Sequence, residues 1–320
     1  MSEEKRAVIA ISGGVGGAKL SQGLAAEIDP SDLTIIVNTG DDSFHYGLFV
    51  TPDIDTQLYT LSGRADLERG WGRKEESWNA MNALRELGEE VWFNLGDKDL
   101  GTNLLRTTRL AKGDRLTDIT ADFARSFGLR EAILPMCDTP VSTQLKCVDG
   151  DYDFHDWFVA AKCEPKVQEV VFRGAEQSEM TPEVKAALAA PDLAAVIVCP
   201  SNPYLSIAPI LAVPGMRRAL ADCAAPVVGV TPVVGGQAIK GPTASMMTNF
   251  SVPVTAATAA GLHADIFDGY ILDERDADQA GEFANIGSGL PVMTADTMMI
   301  DLAAKRRLAR VALDFASALR

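Results

Sequence analysis

The chain has 320 residues and a mass of 34.1 kDa, with 29 Lys and Arg against 44 Asp and Glu and hence a net charge of −15. With 47% hydrophobic and 23% charged residues it can bury an ample core, which excludes disorder as its main state. So acidic a balance excludes non-specific binding to nucleic acid or anionic membranes, and it demands local cations or a metal wherever an anionic substrate is received.

The opening MSEEKRAVIAISGG has no apolar stretch followed by a small-residue cleavage site. No run reaches the roughly 20 apolar residues of a membrane helix, so a cytoplasmic location is expected. Cys137, Cys147, Cys163, Cys199 and Cys223 are widely spaced and form no C-x-x-C pair, which fits reduced thiols. His45, His155 and His263 are too few for a multi-histidine cage, so any metal should sit on oxygen ligands.

Ala7 to Ser12 predicts a short buried strand, followed by a glycine loop and a helix from about Ala18 to Glu27. Leu33 to Asn38 predicts a second strand through its β-branched content. Glu75 to Leu87 has helical spacing in Trp78, Met81, Leu84 and Leu87, with Gly88 as its stop. Val91 to Leu95 reads as a third strand and Leu100 to Leu110 as a helix. From Thr117 to Arg173 the texture changes: a helix over Ile119 to Phe127, alternating strands around Ser142 to Val148, then Asp-rich turns. Alternation resumes with a strand at Ala194 to Cys199, a helix near Met216 to Cys223, a strand at Pro226 to Thr231 and a terminal packing helix over Asp301 to Arg320. Strands alternating with helices imply right-handed crossovers and an α/β fold with a mostly parallel sheet. The expected division is a core of residues 1–116 and 174–320 with an inserted α+β lobe at 117–173.

Ser12-Gly13-Gly14-Val15-Gly16-Gly17-Ala18-Lys19 joins the first strand to its helix. Glycines let backbone N–H groups approach phosphate oxygens, the helix N-terminus adds partial positive charge, and Lys19 adds a full one. The P-loop pattern fails because Ala18 and Leu20 stand where Gly and a hydroxyl belong. The dinucleotide fingerprint fails at Lys19, and again at Asn38, where a ribose-binding acid is needed. A bare structural turn is disfavoured by the glycine density and the lysine, and a phosphate-bearing ligand is the better reading.

Three acid clusters are expected along the carboxyl edge of the sheet: Asp41-Asp42, Asp53-Asp55 and Asp97-Asp99. Hard oxygens gathered near a phosphate loop suit Mg²⁺ bridging protein and pyrophosphate. Asp is also common in turns, and one such cluster would prove little. Further on, Ser201-Asn202 and Gly235-Gly236 with Lys240-Gly241 follow two later strands and offer further anion contacts.

In this order the motifs GGVGGAK (Gly13–Lys19), NTGDDSFHYG (Asn38–Gly47), PDIDTQLYTLSG (Pro52–Gly63), RGWGRKEESW (Arg69–Trp78), NLGDKD (Asn94–Asp99), PSNPYLSIAPIL (Pro200–Leu211) and TPVVGGQAIKGP (Thr231–Pro242) resemble the 2-phospho-L-lactate transferases of coenzyme F420 biosynthesis, the CofD/FbiA family. The resemblance implies a Rossmann-like core with an inserted lobe, a homodimer and a Mg²⁺-dependent transfer. In that reaction a GDP-linked donor passes its phospho-acid portion to the ribityl hydroxyl of the deazaflavin Fo, and GMP leaves. It puts Gly13, Gly14, Gly16, Gly17 and Lys19 near donor phosphates, makes Asp42 and Asp55 metal ligands and turns Ser201, Asn202, Gly235, Gly236, Lys240 and Gly241 towards the nucleotide. Asn38, His45, Asn94, Asp97 and Lys98 then bracket the cleft, and Asp41 remains to hydrogen-bond the ribityl hydroxyl as a general base. Lys98 stands where relatives often carry Arg. Members use 2-phospholactate, phosphoenolpyruvate or 3-phosphoglycerate donors, and the motifs do not choose among them. The rival readings are an NAD(P)-dependent dehydrogenase and a non-catalytic nucleotide or phosphometabolite sensor.

Overall fold

The structure, a computed structural model, describes residues 6–239 and 241–320. A seven-stranded sheet forms from β1 (Ala7–Ser12), β2 (Leu33–Val37), β3 (Ala132–Pro135), β4 (Leu193–Val198), β5 (Val227–Val230), β6 (Gly269–Asp273) and β7 (Val292–Ala295). Every pairing is parallel, and the spatial order is β3-β2-β1-β4-β5-β6-β7. The central runs AVIAIS, LTIIV and LAAVIV are apolar almost throughout because both faces of the sheet are covered. Strand alternation still sorts them: Val8 and Ala10 enter the core on one face, Ile9 and Ile11 the core on the other.

Helix α1 (Gly14–Ala25) follows β1, and α2 (Pro52–Leu61), α3 (Asp97–Leu110) and α4 (Leu116–Ser126) come before β3. The terminal helix α5 (Leu302–Ala318) packs Leu308, Ala312 and Phe315 into the same core as Leu20 and Leu24 of α1. Strand order reverses between β1 and β4. Open α/β sheets bind ligands outside the carboxyl ends of such a pair. Among the described residues, no helix is long and apolar enough to cross a membrane.

Two expectations need correction. Val91 to Leu95 is not a strand. Its apolar side chains join Val50 and Met81 in a satellite cluster, and β3 takes the place beside β2. The stretch 117–173 divides: α4 buries Ile119 and Phe123 in the main core and β3 completes the sheet. The rest is a three-stranded antiparallel sheet of Gly150–Asp153, Ser142–Cys147 and Val167–Arg173, with a π-helical turn at Asp156–Ala160. A backbone bond from Thr143 N to Gly40 O (2.7 Å) ties this sheet to the loop after β2.

Candidate active site

The loops after β1 and β4 press together at the switch point. A Cβ at Gly16 would lie 2.4 Å from the Pro200 carbonyl oxygen, so only glycine admits this contact. Ser201 Oγ accepts from Gly13 N (3.2 Å) and donates to Gly13 O (2.8 Å), which zips the two loops. Asn202 Oδ1 accepts from Tyr204 N (2.9 Å) and Leu205 N (3.2 Å), capping the turn that leads away. The helix N-terminus is already engaged in part: Gly14, at φ +65°, donates its N–H to Asp53 Oδ1 at 2.7 Å.

Asp53 belongs to the first turn of α2, which also carries Asp55. Asn38, buried after β2, donates Nδ2 to Asp53 Oδ2 (2.9 Å) and accepts from Gly40 N (2.8 Å), fixing the turn that presents Asp41 and Asp42. Asp55 is held by both terminal nitrogens of the buried Arg106 of α3, with Nη1 at 3.1 Å from Oδ2 and a second, shorter contact from Nη2 to Oδ1. Tyr59 donates its hydroxyl to Asp99 Oδ1 at 2.6 Å. Asp42 differs from all of these: neither of its buried carboxylate oxygens meets a hydrogen-bond donor among the described residues, and nor does Oδ1 of Asp41.

Burial pushes the carboxyls of Asp41 and Asp42 well above the usual range. The charge of Asp53 adds to this at Asp41, and Arg106 opposes it at Asp42. Burial raises Asp53 to about 6, and burial with the nearby charge of Asp55 raises Asp99 to about 7. Burial therefore favours the neutral carboxyls in this cluster, and the charge of Arg106 opposes it at Asp42 and Asp55. No three His, Cys, Asp or Glu side chains among the described residues converge into a ready metal cage.

Asp41, Asp53, Asp55 and Asp99 line a cavity of about 560 Å³ together with the glycine loop and a set of aromatic side chains. Trp71, Trp92, Phe93, Phe154 and Phe158 line it, and Phe154 stacks on Phe158 at 5.3 Å. His155 lies among them. His45 sits behind, stacked on Phe93 with ring centroids 3.6 Å apart, in the hairpin Ser43–His45 and Leu48–Val50. Burial lowers His45 to about 4 and His155 to about 3, so both rings are neutral.

Of the residues expected at the site, Gly13, Gly14, Gly16, Lys19, Asp41, Asp55, Asn94, Ser201, Asn202 and Gly241 line the cavity. Gly17, Asn38 and Asp42 lie outside the lining, Asn38 and Asp42 being buried within the acid cluster. Asp97 is used elsewhere: its carboxylate caps the helix Asn79–Glu86 through Ser77, Asn79 and Ala80 and drops to about 2 by those bonds. Lys98 reaches the Lys74 carbonyl (3.2 Å) and Glu75 (3.7 Å). Gly235 and Gly236 form the two-residue turn of the hairpin Val233–Val234 and Gln237–Ala238. Lys240 lies outside the described residues. Only the first acid cluster follows a strand of the seven-stranded sheet, since Asp53-Asp55 and Asp97-Asp99 occupy the first turns of α2 and α3. The sequence reading put Asp53 in an acid cluster without a role of its own, and it missed Arg106, Ser43 and His155 as site residues. Ser43 lies inside the NTGDDSFHYG motif, whereas nothing local marks Arg106 or His155.

The strand order and the glycine-to-helix junction at its switch point define a Rossmann-like α/β fold, whose cavity is lined by that loop and by the acid cluster. The chain matches the family described as 2-phospho-L-lactate transferase CofD over residues 8–308. It is 36% identical over 320 residues to the phosphoenolpyruvate transferase of Kitasatospora aureofaciens, covering 98% of each chain. It is 34% identical over 304 residues to the 2-phospho-L-lactate transferase of Methanosarcina mazei, covering 95% of this chain and 98% of that one. The fold is shared with a UPF0052 family protein from Bacillus halodurans at a TM-score of 0.64 and 17% identity, over 97% of this chain and all of that one. The chain belongs to the CofD family and is a phosphotransferase of coenzyme F420 biosynthesis.

Proposed function

We propose that the protein transfers the phospho-acid portion of a GDP-linked donor to the ribityl hydroxyl of Fo and releases GMP. One observation carries this reading: a single cavity joins the glycine loop and acid cluster to an aromatic end. A flat heterocycle fits the aromatic end, and a chain of hydroxyls leaving it runs towards the carboxylates. Lys19 lines the same cavity and supplies positive charge to the donor phosphates.

The unpartnered oxygens of Asp42 and Asp41 fit a divalent cation, because buried carboxylates without donors call for positive charge. Mg²⁺ there would neutralise charge on the phosphate oxygens as it develops. Asp42 is the ligand this favours. Asp55 contributes only by yielding an oxygen from Arg106, so its place beside Asp42 is taken more readily by Asp41. In that case Asp41 both faces the cation and accepts from the attacking hydroxyl. Asp53 and Asn38 hold the loop that carries Asp41, and Ser201 keeps the glycine loop in place.

Relatives named for phospholactate and for phosphoenolpyruvate match almost equally, at 34% and 36%, so the donor acid stays open. Incubation with Fo, Mg²⁺ and each GDP-linked donor, followed by mass detection, should yield GMP and a phosphodiester of Fo with one of them. GMP release without an Fo adduct would overturn the acceptor assignment, and saturable NAD(P)H binding with hydride transfer would replace the reading altogether. We also propose a homodimer, which sedimentation would test by mass.

A further inference from the structure

Ser43, His45 and His155 form a closed hydrogen-bonding triangle at the aromatic end of the cavity. Ser43 Oγ lies 2.9 Å from His45 Nε2 and 2.8 Å from His155 Nδ1, and those two nitrogens are 3.1 Å apart. The two histidines come from segments 110 residues apart, the hairpin after β2 and the lobe that follows β3. His45 is clamped flat against Phe93, and His155 packs against Phe93 at 5.0 Å and Phe154 at 5.2 Å. His155 is 6% exposed, and it lines the cavity. With Nδ1 occupied by Ser43 and His45, Nε2 is the ring nitrogen left for a molecule in the cavity.

We infer that this triangle fixes His155 as the hydrogen-bond partner of the acceptor's heterocyclic ring, and so helps to set acceptor specificity. The inference rests on the proposed acceptor reading. The serine hydroxyl makes the partner adaptable without charge. When His45 Nε2–H donates to Ser43 Oγ and the Ser43 hydroxyl donates to His155 Nδ1, His155 carries its proton on Nε2 and donates to a ring carbonyl. Reversing both bonds turns Nε2 into an acceptor for a ring N–H. Neither arrangement requires an imidazolium, in keeping with the burial that holds both rings neutral. A lone buried histidine would leave Nδ1 without a partner, and the Ser43 hydroxyl, able to donate or to accept, satisfies that nitrogen in either tautomer.

The test is Fo fluorescence titration and steady-state kinetics on wild type, His155→Phe and Ser43→Ala. His155→Phe keeps the aromatic packing and should raise the acceptor Kd and KM about tenfold, the loss of one hydrogen bond to a buried partner. Donor KM should stay within about twofold of wild type on the same grounds, and the shift in Fo absorbance on binding should shrink. Ser43→Ala removes the hydrogen bond that holds His155 Nδ1, and a rise of about threefold is expected, restored by Ser43→Thr. Should His155→Phe fail to fold, Ser43→Ala with its threonine rescue carries the test alone. Wild type that does not bind Fo overturns the acceptor reading and this inference together. Wild type that binds Fo, with folded variants binding equally well, overturns this inference alone.

Discussion

The two ends of the cavity are built by opposite means. The acidic end is built at strand and helix ends: Gly13 follows β1, Asp41 and Asp42 follow β2, and Asp53, Asp55 and Asp99 sit in the first turns of α2 and α3. The aromatic end hangs on appended segments, the hairpin with His45, the extended run with Trp92 and Phe93, and the lobe with Phe154, His155 and Phe158. The charged groups thus sit at the starts of helices and the end of β2, and the aromatic ones on segments outside the seven-stranded sheet. A second contrast lies inside the acidic end. Asp55 and Asp42 are the same residue type and both buried, but one has a bidentate guanidinium and the other has no donor among the described residues.

The largest expected effect breaks the first of these carboxylates. Arg106→Met removes the buried cation and strands Asp55, so unfolding free energy should fall by about 3–5 kcal/mol in a urea titration. A loss under about 1 kcal/mol would mean that Asp55 is protonated in the fold and that the pair is not ionic. Asp42→Asn should behave in the opposite way. Turnover should drop by about 10²–10³-fold with a higher Mg²⁺ requirement, the scale seen when one charge-stabilising group is removed. Stability should hold or rise, since a carboxylate without donors no longer has to be buried. The sign follows from its raised pKa: the stabilising contribution of the protonated form is present at low pH and is lost as pH rises through the folded-state value. Wild type should therefore lose stability on that rise and the Asn variant should not. Equal Mg²⁺ dependence in the two proteins would remove Asp42 from the cation site.

The same contrast explains what was legible in the sequence. Strands β1, β2, β4 and β5 announce themselves as largely apolar runs, and the glycine loop and Asp41-Asp42 follow β1 and β2 within a few residues. Val91 to Leu95 carries a similar apolar run but spends it on a satellite cluster, and local composition does not distinguish a sheet from such a cluster. Strand β3 is only four residues long and ends in proline, so its register beside β2 is visible only in three dimensions. Arg106 and His155 act across 51 and 110 residues of sequence, and no spacing rule links such pairs.

Lys19 sharpens the charged end from the other side. It lines the cavity, and its charge already lowers the pKa of Lys305, after the larger lowering that burial imposes there. Lys19→Ala should weaken donor binding by about 1.5–3 kcal/mol, roughly tenfold to a hundredfold, with Fo affinity unchanged. Donor affinity equal to wild type in the folded variant would assign the donor phosphates to other groups.

The smallest expected effect concerns an acid that belongs to neither end. Asp97 stands in a motif shared with cavity residues, yet its carboxylate accepts from Ser77 Oγ at 2.6 Å, Asn79 N at 3.1 Å and Ala80 N at 3.1 Å. Those bonds close the start of the helix Asn79–Glu86, whose Met81 anchors the satellite cluster under Val50 and Leu95. The residue braces the wall that carries Trp92, Phe93 and Asn94, and it should not touch substrate. Asp97→Ala should therefore lower the thermal midpoint slightly and leave both KM values near wild type. Its folded-state pKa is depressed from 3.8 to about 2, chiefly by the Ser77 hydroxyl. The cap's contribution is then complete above the unfolded value and is lost as pH falls through the folded one. Acid unfolding of wild type and Asp97→Ala should converge below that point and separate above it. A raised donor KM at an unchanged midpoint would return Asp97 to the substrate side of the wall.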